Sequence, residues 1–347
     1  MNDRALMSQL RSLAGAAQSP QLWSQIMELL RAWPATSLDF AIDYVETAAR
    51  RWPDGLRRNA SWMTLDSGHR AWRLIRHLDL EASPLTPRDV EAIVQHSAMA
   101  WITQVTLAGC GIGDRGLLRI LDALESNLGS ATNPIEIYKL DLRDNGLTPE
   151  GASTLAGSEV LGEIEALDLS GNAISDSALA QIILAMAKPM TIAARDTGAG
   201  LLTTEAIADT PATQLMAGLD LSNNRVDARA AIALARAEGL GRLAHLQLSS
   251  NPLGDEGAQA LADSPMFPTL RQLTLARCGI GPLGIAALAQ SPHLTTLRSL
   301  DIRENTIDPF CARLMVKTPE LRGLETFLLS YEGEEVDGVE ALAALLV

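Results

Sequence analysis

Aromatic residues make up only 4% of this 347-residue chain, against 47% hydrophobic residues in all. The interior must therefore be built mostly from Leu, Ile, Val and Ala. A core of small aliphatic side chains suits a regular stack of similar units better than a single globule. All-helical repeats would meet that criterion too, so the repeat pattern has to decide. Cysteine is scarcer still, with three residues and no Cys-x-x-Cys pair, which argues against a disulfide framework and a zinc ribbon. No uninterrupted apolar run approaches the ~20 residues of a membrane helix. The opening Met1-Asn2-Asp3-Arg4 lacks the long apolar segment of a secretory signal. These absences predict a soluble, cytoplasmic protein with no membrane partner. Lysine is nearly missing (Lys139, Lys188 and Lys317), a bias that reads as GC-rich base composition. Positive charge is short overall, at net −14, yet residues 1–73 carry nine Arg against seven Asp and Glu. The remaining chain is the acidic part. It repels phosphate backbones, so no nucleic-acid partner is expected.

Catalytic signatures are missing as well. No G-x-S-x-G, P-loop, dinucleotide fingerprint or H-E-x-x-H is present. Gly109, Gly111, Gly113 and Gly116 resemble G-x-G-x-x-G only superficially, because Gly279, Gly281 and Gly284 recur in the same phase. No cofactor and no metal are expected, and the chain reads as a non-enzyme.

What the chain does have is a repeat. Its clearest copy is Leu297-Arg-Ser-Leu300-Asp-Ile302-Arg-Glu-Asn305-Thr-Ile307, which reads L-x-x-L-x-L-x-x-N-x-L. Marking each copy at the first apolar residue of its L-x-L gives Leu78, Val105, Leu140, Leu167, Ala194, Leu219, Leu246, Leu273, Leu300 and Phe327. The spacings are 27, 35, 27, 27, 25, 27, 27, 27 and 27. Five residues after each mark stand Ser83, Cys110, Asn145, Asn172, Ala199, Asn224, Asn251, Cys278, Asn305 and Glu332. Asn at that place can satisfy backbone groups in the bend after a strand, and Cys110 and Cys278 become buried structural residues. Cys311 falls where Gly151, Gly257 and Gly284 stand in other copies. Helix starts follow at Thr86-Pro87, Thr148-Pro149, Ser175-Asp176, Asp227, Gly281-Pro282 and Asp308-Pro309, with Thr, Ser or Asp as N-cap and Pro at the first helical position. Each copy is then one strand and one helix.

This pattern resembles the leucine-rich repeats, and the 27-residue length with an xxxGxxxL helix segment resembles their ribonuclease-inhibitor-like subclass, in a bacterial-type form. The resemblance covers roughly residues 74–347. It implies an α/β solenoid, a right-handed horseshoe with a parallel concave sheet and convex helices. Eight extra residues between Val105 and Leu140 are assigned to a loop within Ser126–Pro134. The Ala194 copy is degenerate. Marked at Ala194, it would aim Asp196 into the core, which is costly without a partner. Sliding by two, with Ile192 and Ala194 inward, is preferred and changes the spacings to 25 and 27.

Residues 1–73 do not repeat. They hold Trp23, Trp33, Trp52, Trp62 and Trp72, with Trp101 opening the second copy. Helices are expected from Ser19-Pro20 and from Ser37. The module reads as a helical cap over the exposed end of the stack, with a docking domain as the alternative.

The strand residues flanking each inward leucine should line the concave face. The central row reads Asp79, Thr106, Asp141, Asp168, Arg195, Asp220, Gln247, Thr274, Asp301 and Leu328. The following row includes Glu81, Arg143, Ser170, Thr197, Ser222, Ser249, Arg303 and Ser330, and the preceding row His77, Lys139, His245 and Gln272. The residues expected to meet a protein partner are His77, Asp79, Lys139, Asp141, Arg143, Asp168, Asp220, His245, Gln247, Asp301 and Arg303. Five aspartates in one row raise a metal site, but solvated or laterally paired carboxylates are the expected state. His77 and His245 lie roughly 29 Å apart at ~4.8 Å per strand, too far to share a proton or an ion. A long regular solenoid with a mixed-charge concave face and no catalytic constellation points to a non-catalytic interaction scaffold; what the resemblance adds is the alternative of a GTPase-activating or effector-type modulator of another enzyme. The strand Phe327-Leu328-Leu329 is expected to leave an open edge through which weak self-association could occur.

Overall fold

A computed structural model describes residues 3–61, 63, 68–126, 137–237, 240–265, 269–293 and 295–346. Trp62 and the greater part of the expected loop at 126–134 lie outside the described residues. The chain forms two compact units, Met1–Leu142 and Arg143–Val347.

The first unit begins with three helices, α1 (Asp3–Ala14), α2 (Pro20–Arg31) and α3 (Leu38–Ala48). Ser19 caps α2 as the sequence suggests, its hydroxyl accepting from the Leu22 N–H at 3.1 Å. Ser37 makes no such cap; its hydroxyl accepts instead from the Trp33 indole N–H at 3.1 Å. Trp23, Trp33, Trp52 and Trp72 are buried, with the Trp23 and Trp52 rings 5.7 Å apart. Trp101 is exposed. Two strand–helix coils follow, β1 (His77–Asp79) with α4 (Pro87–Gln95) and β2 (Gln104–Thr106) with α5 (Gly113–Glu125), then β3 (Lys139–Asp141). The three strands are parallel and in register, Leu78 against Val105 and Val105 against Leu140. The outer edge of β1 is taken by Arg57–Asn59. The Arg57 carbonyl accepts from the Arg76 and His77 N–H groups, and the Asn59 side chain accepts from the Asp79 N–H.

The second unit stacks β4 (Ala166–Asp168), β5 (Thr191–Ala193), β6 (Gly218–Asp220), β7 (His245–Gln247), β8 (Gln272–Thr274) and β9 (Ser299–Asp301). The strand β10 (Thr326–Tyr331) follows, parallel to β9. The helices are α6 (Pro149–Ala156), α7 (Asp176–Leu184), α8 (Leu201–Asp209), α9 (Ala228–Ala235), α10 (Gly254–Asp263), α11 (Pro282–Ala289), α12 (Pro309–Lys317) and α13 (Pro319–Arg322). This is an open leucine-rich-repeat stack whose inward row, Leu167, Ile192, Leu219, Leu246, Leu273, Leu300 and Phe327, is buried throughout. Ile192 pairs with Leu167 and Leu219, so the slid register is the one the chain adopts and Asp196 is exposed.

Every regular coil turns off its strand at one place. Ala82, Gly109, Asp144, Gly171, Asp196, Asn223, Ser250, Arg277 and Glu304 all take left-handed φ, from 53° to 70°. Only two of the nine are glycine. For the others the left-handed region costs roughly 1 kcal/mol, so neighbouring coils must hold the bend. The ladder residues do this. The Asn251 Oδ1 accepts from the Asn224 and Val226 N–H groups, and its Nδ2 donates to the Leu221 and Leu248 carbonyls. Asn172, Asn224 and Asn305 bridge coils likewise. Cys278 keeps the donor half only, its thiol reaching the Leu248 carbonyl at 3.2 Å. In the slid register Thr197, not Ala199, occupies the ladder place, and its hydroxyl donates to the Ala194 carbonyl.

The expected open edge at Phe327-Leu328-Leu329 is not there. β10 runs on to Tyr331, turns at Glu332 and Gly333 (φ 51° and 88°), and pairs antiparallel with β11 (Glu334–Asp337). Two consecutive positive φ values are what a two-residue hairpin loop of this twist requires. Glu332 therefore belongs to a turn and not to the ladder. The outermost strand carries exposed Glu334, Glu335 and Asp337, charges that discourage edge pairing. The helix α14 (Val339–Leu345) follows it.

Candidate binding face

The aspartates of the central row are set by local backbone chemistry. Asp168, Asp220 and Asp301 each accept, through Oδ1, the N–H of the residue two further on, at 3.0, 2.8 and 3.1 Å. Asp79 does the same at 3.2 Å. The strand ends at this residue, and its carboxylate satisfies a donor that the ladder leaves over. One oxygen of each is thus fixed, and the other sets the character of the face.

In the second unit the fixed carboxylates differ in what the free oxygen meets. The Asp168 Oδ2 lies 3.4 Å from the Arg143 Nε. Asp301 is held in a two-point contact by Arg303, at 3.0 and 2.8 Å, and Arg303 also reaches Glu335 at 3.5 Å. Hydrogen bonds that it donates to Asp301 hold the Arg303 guanidinium firmly protonated, its pKa raised above the ordinary arginine value. Asp220 has no ion pair among the described residues and stays half-exposed. Beside it on β7 stand His245, exposed and 3.3 Å from the Gln272 side chain, and half-exposed Gln247. Ala193 takes the central place on β5 that the unslid reading gave to Arg195, so a small residue flanks Asp220 on the other side. Serines of the next row are spent between coils: Ser170 accepts from the Arg195 N–H, Ser249 from Ala276 and Ser330 from Glu304.

In the first unit the face is more closed. His77 is buried, its Nε2 2.8 Å from the Thr106 hydroxyl, and burial lowers its pKa below the ordinary 6.5. Asp141 is also buried, Asp79 pairs with Arg58 at 2.8 Å, and Lys139 is exposed. Among the described residues no three His, Cys, Asp or Glu side chains converge as a metal site. The three thiols are buried; burial pushes Cys278 and Cys311 up to about 11 and raises Cys110, which disfavours the nucleophilic thiolate.

Two devices escape a reading of single repeats. Ser175, with φ 82°, does not cap α7. Asp176, the first residue of α7, reaches instead to the next coil and accepts from the Gly200, Leu202 and Thr203 N–H groups and the Thr203 hydroxyl. It caps α8, whose own N-cap residue is Gly200. Asp255 caps α11 in the same way, through the Gly281 and Gly284 N–H groups. The second device lies nine residues before the strand centre. His69, His96, Ser158 and Ser291 there each accept a backbone N–H two residues on. His69 and His96 are thereby turn caps.

The family described as leucine-rich repeat matches residues 139–156, 164–182, 243–262, 268–289 and 293–309. The match is to the repeat, not to a subclass of it. No curated protein matches the sequence. Among solved structures, an internalin from Listeria monocytogenes is similar at 16% identity, over 76% of this chain and 63% of the internalin chain, with a TM-score of 0.46. The matched part is less than two thirds of that protein's length. The Rad7 and Elc1 complex in yeast is similar at 12% identity, over 90% of this chain and 81% of that one, with a TM-score of 0.43. No described helix is long and apolar enough to cross a membrane.

Proposed function

That this chain is a leucine-rich-repeat protein is the premise from which we propose its function: it binds a protein partner through the strand face of residues 143–347 and performs no chemistry of its own. The observation that carries the reading is the state of Asp220. Its carboxylate is fixed by the Ser222 N–H yet has no ion pair among the described residues, so it meets a partner already oriented. Side chains ordered before binding lose less entropy on binding. His245 and Gln247 extend the same patch, with the Arg143–Asp168 and Asp301–Arg303 pairs at its flanks. Lys139 is the exposed candidate of the first unit, whereas His77 and Asp141 offer little surface. Residues 1–73 cap the stack of 74–347 in this reading. Three free thiols suit a reducing, cytoplasmic compartment.

The test is affinity capture from the native cell with the wild type and with Asp220→Lys combined with His245→Glu. Circular dichroism should be unchanged, because both side chains face outward. A partner lost from the double variant supports the reading. Identical capture by the two proteins removes this face from consideration.

A further inference from the structure

The helix α11 contains no polar side chain in its eight residues. A helix apolar all round is ordinarily covered on every side. Gly284, Ile285, Leu288 and Ala289 are buried in the stack, yet Leu283 on the outward side is 77% exposed. On α12 the equivalent residue, Phe310, is 69% exposed, and Arg313 and Lys317 continue its outward stripe. On α10 the same stripe carries exposed Glu256 and Asp263. Both helices pack against α11. The face thus reads acidic, apolar, basic across three neighbouring helices. None of the four charges has an ion-pair partner among the described residues.

We propose that a second copy of this chain docks here, α11 against α11, about a two-fold axis parallel to that helix. This axis lays α10 of each copy over α12 of the other. Asp263 then meets Lys317 at the same height along the helices, and Glu256 meets Arg313 within one turn. Leu283 meets its own copy at the centre, and Phe310 packs over the aliphatic stem of Glu256. A two-fold axis perpendicular to the helices would instead lay α10 antiparallel on α10 and set Glu256 of one copy against Asp263 of the other, a like-charge contact. The order of charges therefore selects one arrangement. Three helices of two to three turns, spaced about 10 Å, offer a face of roughly 30 by 13 Å. The two copies would bury about 800 Å², below the range of stable complexes, so the dimer is weak and reversible.

Sedimentation equilibrium of the full chain, from about ten micromolar to one millimolar, tests this. The expected result is a mass rising toward twice the monomer, less so in high salt. Leu283→Glu should abolish the rise. Glu256→Lys with Asp263→Lys, or Arg313→Glu with Lys317→Glu, should each weaken association by about tenfold or more. All four changes in one chain should restore it, because the face becomes basic, apolar, acidic. Monomer throughout overturns the proposal. So does a dimer that Leu283→Glu leaves intact, or a fourfold variant that stays dissociated.

Discussion

Asp176→Ala should cost far more than an exposed helix cap usually does. The carboxylate accepts four hydrogen bonds on the next coil, from the Gly200, Leu202 and Thr203 N–H groups at 2.7 to 3.0 Å and from the Thr203 hydroxyl at 2.7 Å. Loss of an ordinary N-cap costs about 1 kcal/mol. Here Gly200 and Thr203 are buried, so water cannot replace the lost acceptor. Leaving a buried donor unmade costs about 1–3 kcal/mol each. The negative charge at the start of α8 adds about 0.5 kcal/mol. Some relaxation of the loop will offset part of this, and a net loss of about 3 kcal/mol is expected. Asp176→Asn retains Oδ1, which makes three of the four bonds, and should lose about 1–2 kcal/mol. Ser177→Ala, exposed on the same turn, should fall within about 0.5 kcal/mol of wild type. Urea unfolding read by circular dichroism measures the stabilities, and amide exchange at Leu202 and Thr203 localises the effect. An alanine variant as stable as Ser177→Ala would refute the claim that α8 is capped from the neighbouring coil.

Four further outcomes follow from the same packing and hydrogen bonding. Asn251→Ala removes a buried amide that satisfies two N–H groups and two carbonyls, and should destabilise by about 3 kcal/mol or more in urea titration. Gly284→Ala should destabilise because its Cβ would come within 2.8 Å of the capping Asp255 carboxylate, whereas Gly162→Ala meets nothing within 4 Å. Burial lowers the His77 pKa, so the folded state favours the neutral ring. Stability should be whole above about 6.5 and fall as pH drops below it, and His77→Gln should flatten that slope in pH-dependent melting. The three thiols should resist a disulfide reagent in the folded protein and react in denaturant; modification of native Cys278 would contradict its burial.

The stacking was legible because one physical demand, an aliphatic pair in every strand, recurs at nearly fixed spacing. The same demand located the slip at Ile192, since burying Asp196 would have cost too much. Capping by Asp176 and Asp255 was not legible in single repeats, because donor and acceptor belong to different coils. A cap at Ser175 would make each helix self-sufficient, whereas the first donors of α8 are met by Asp176 from the coil before it. The Asp row was visible as residue type, but its role depends on a bond to the N–H two residues on. The hairpin carries a signal of its own in the sequence: Glu332-Gly333 lies between Phe327, Leu329 and Tyr331 on one side and Val336 on the other, an alternation of period two about a turn dipeptide. The binding face was legible as rows of positions. Which side chains stay available, Asp220 and His245 more than His77 or Asp141, required burial and hydrogen-bond partners.

Engineered disulfide trapping probes the register of the stack most directly, at the one coil where two alignments compete. Ala193 and Asp220 are paired across β5 and β6. Neighbouring strand residues lie about 4.8 Å apart, within the reach of a disulfide, while a partner two residues along is about 8 Å away and beyond it. Ala193→Cys with Asp220→Cys should cross-link rapidly under mild oxidation, and Arg195→Cys with Asp220→Cys should not. Efficient cross-linking at 195 and none at 193 would contradict the alignment on which the stack and its outward face both rest.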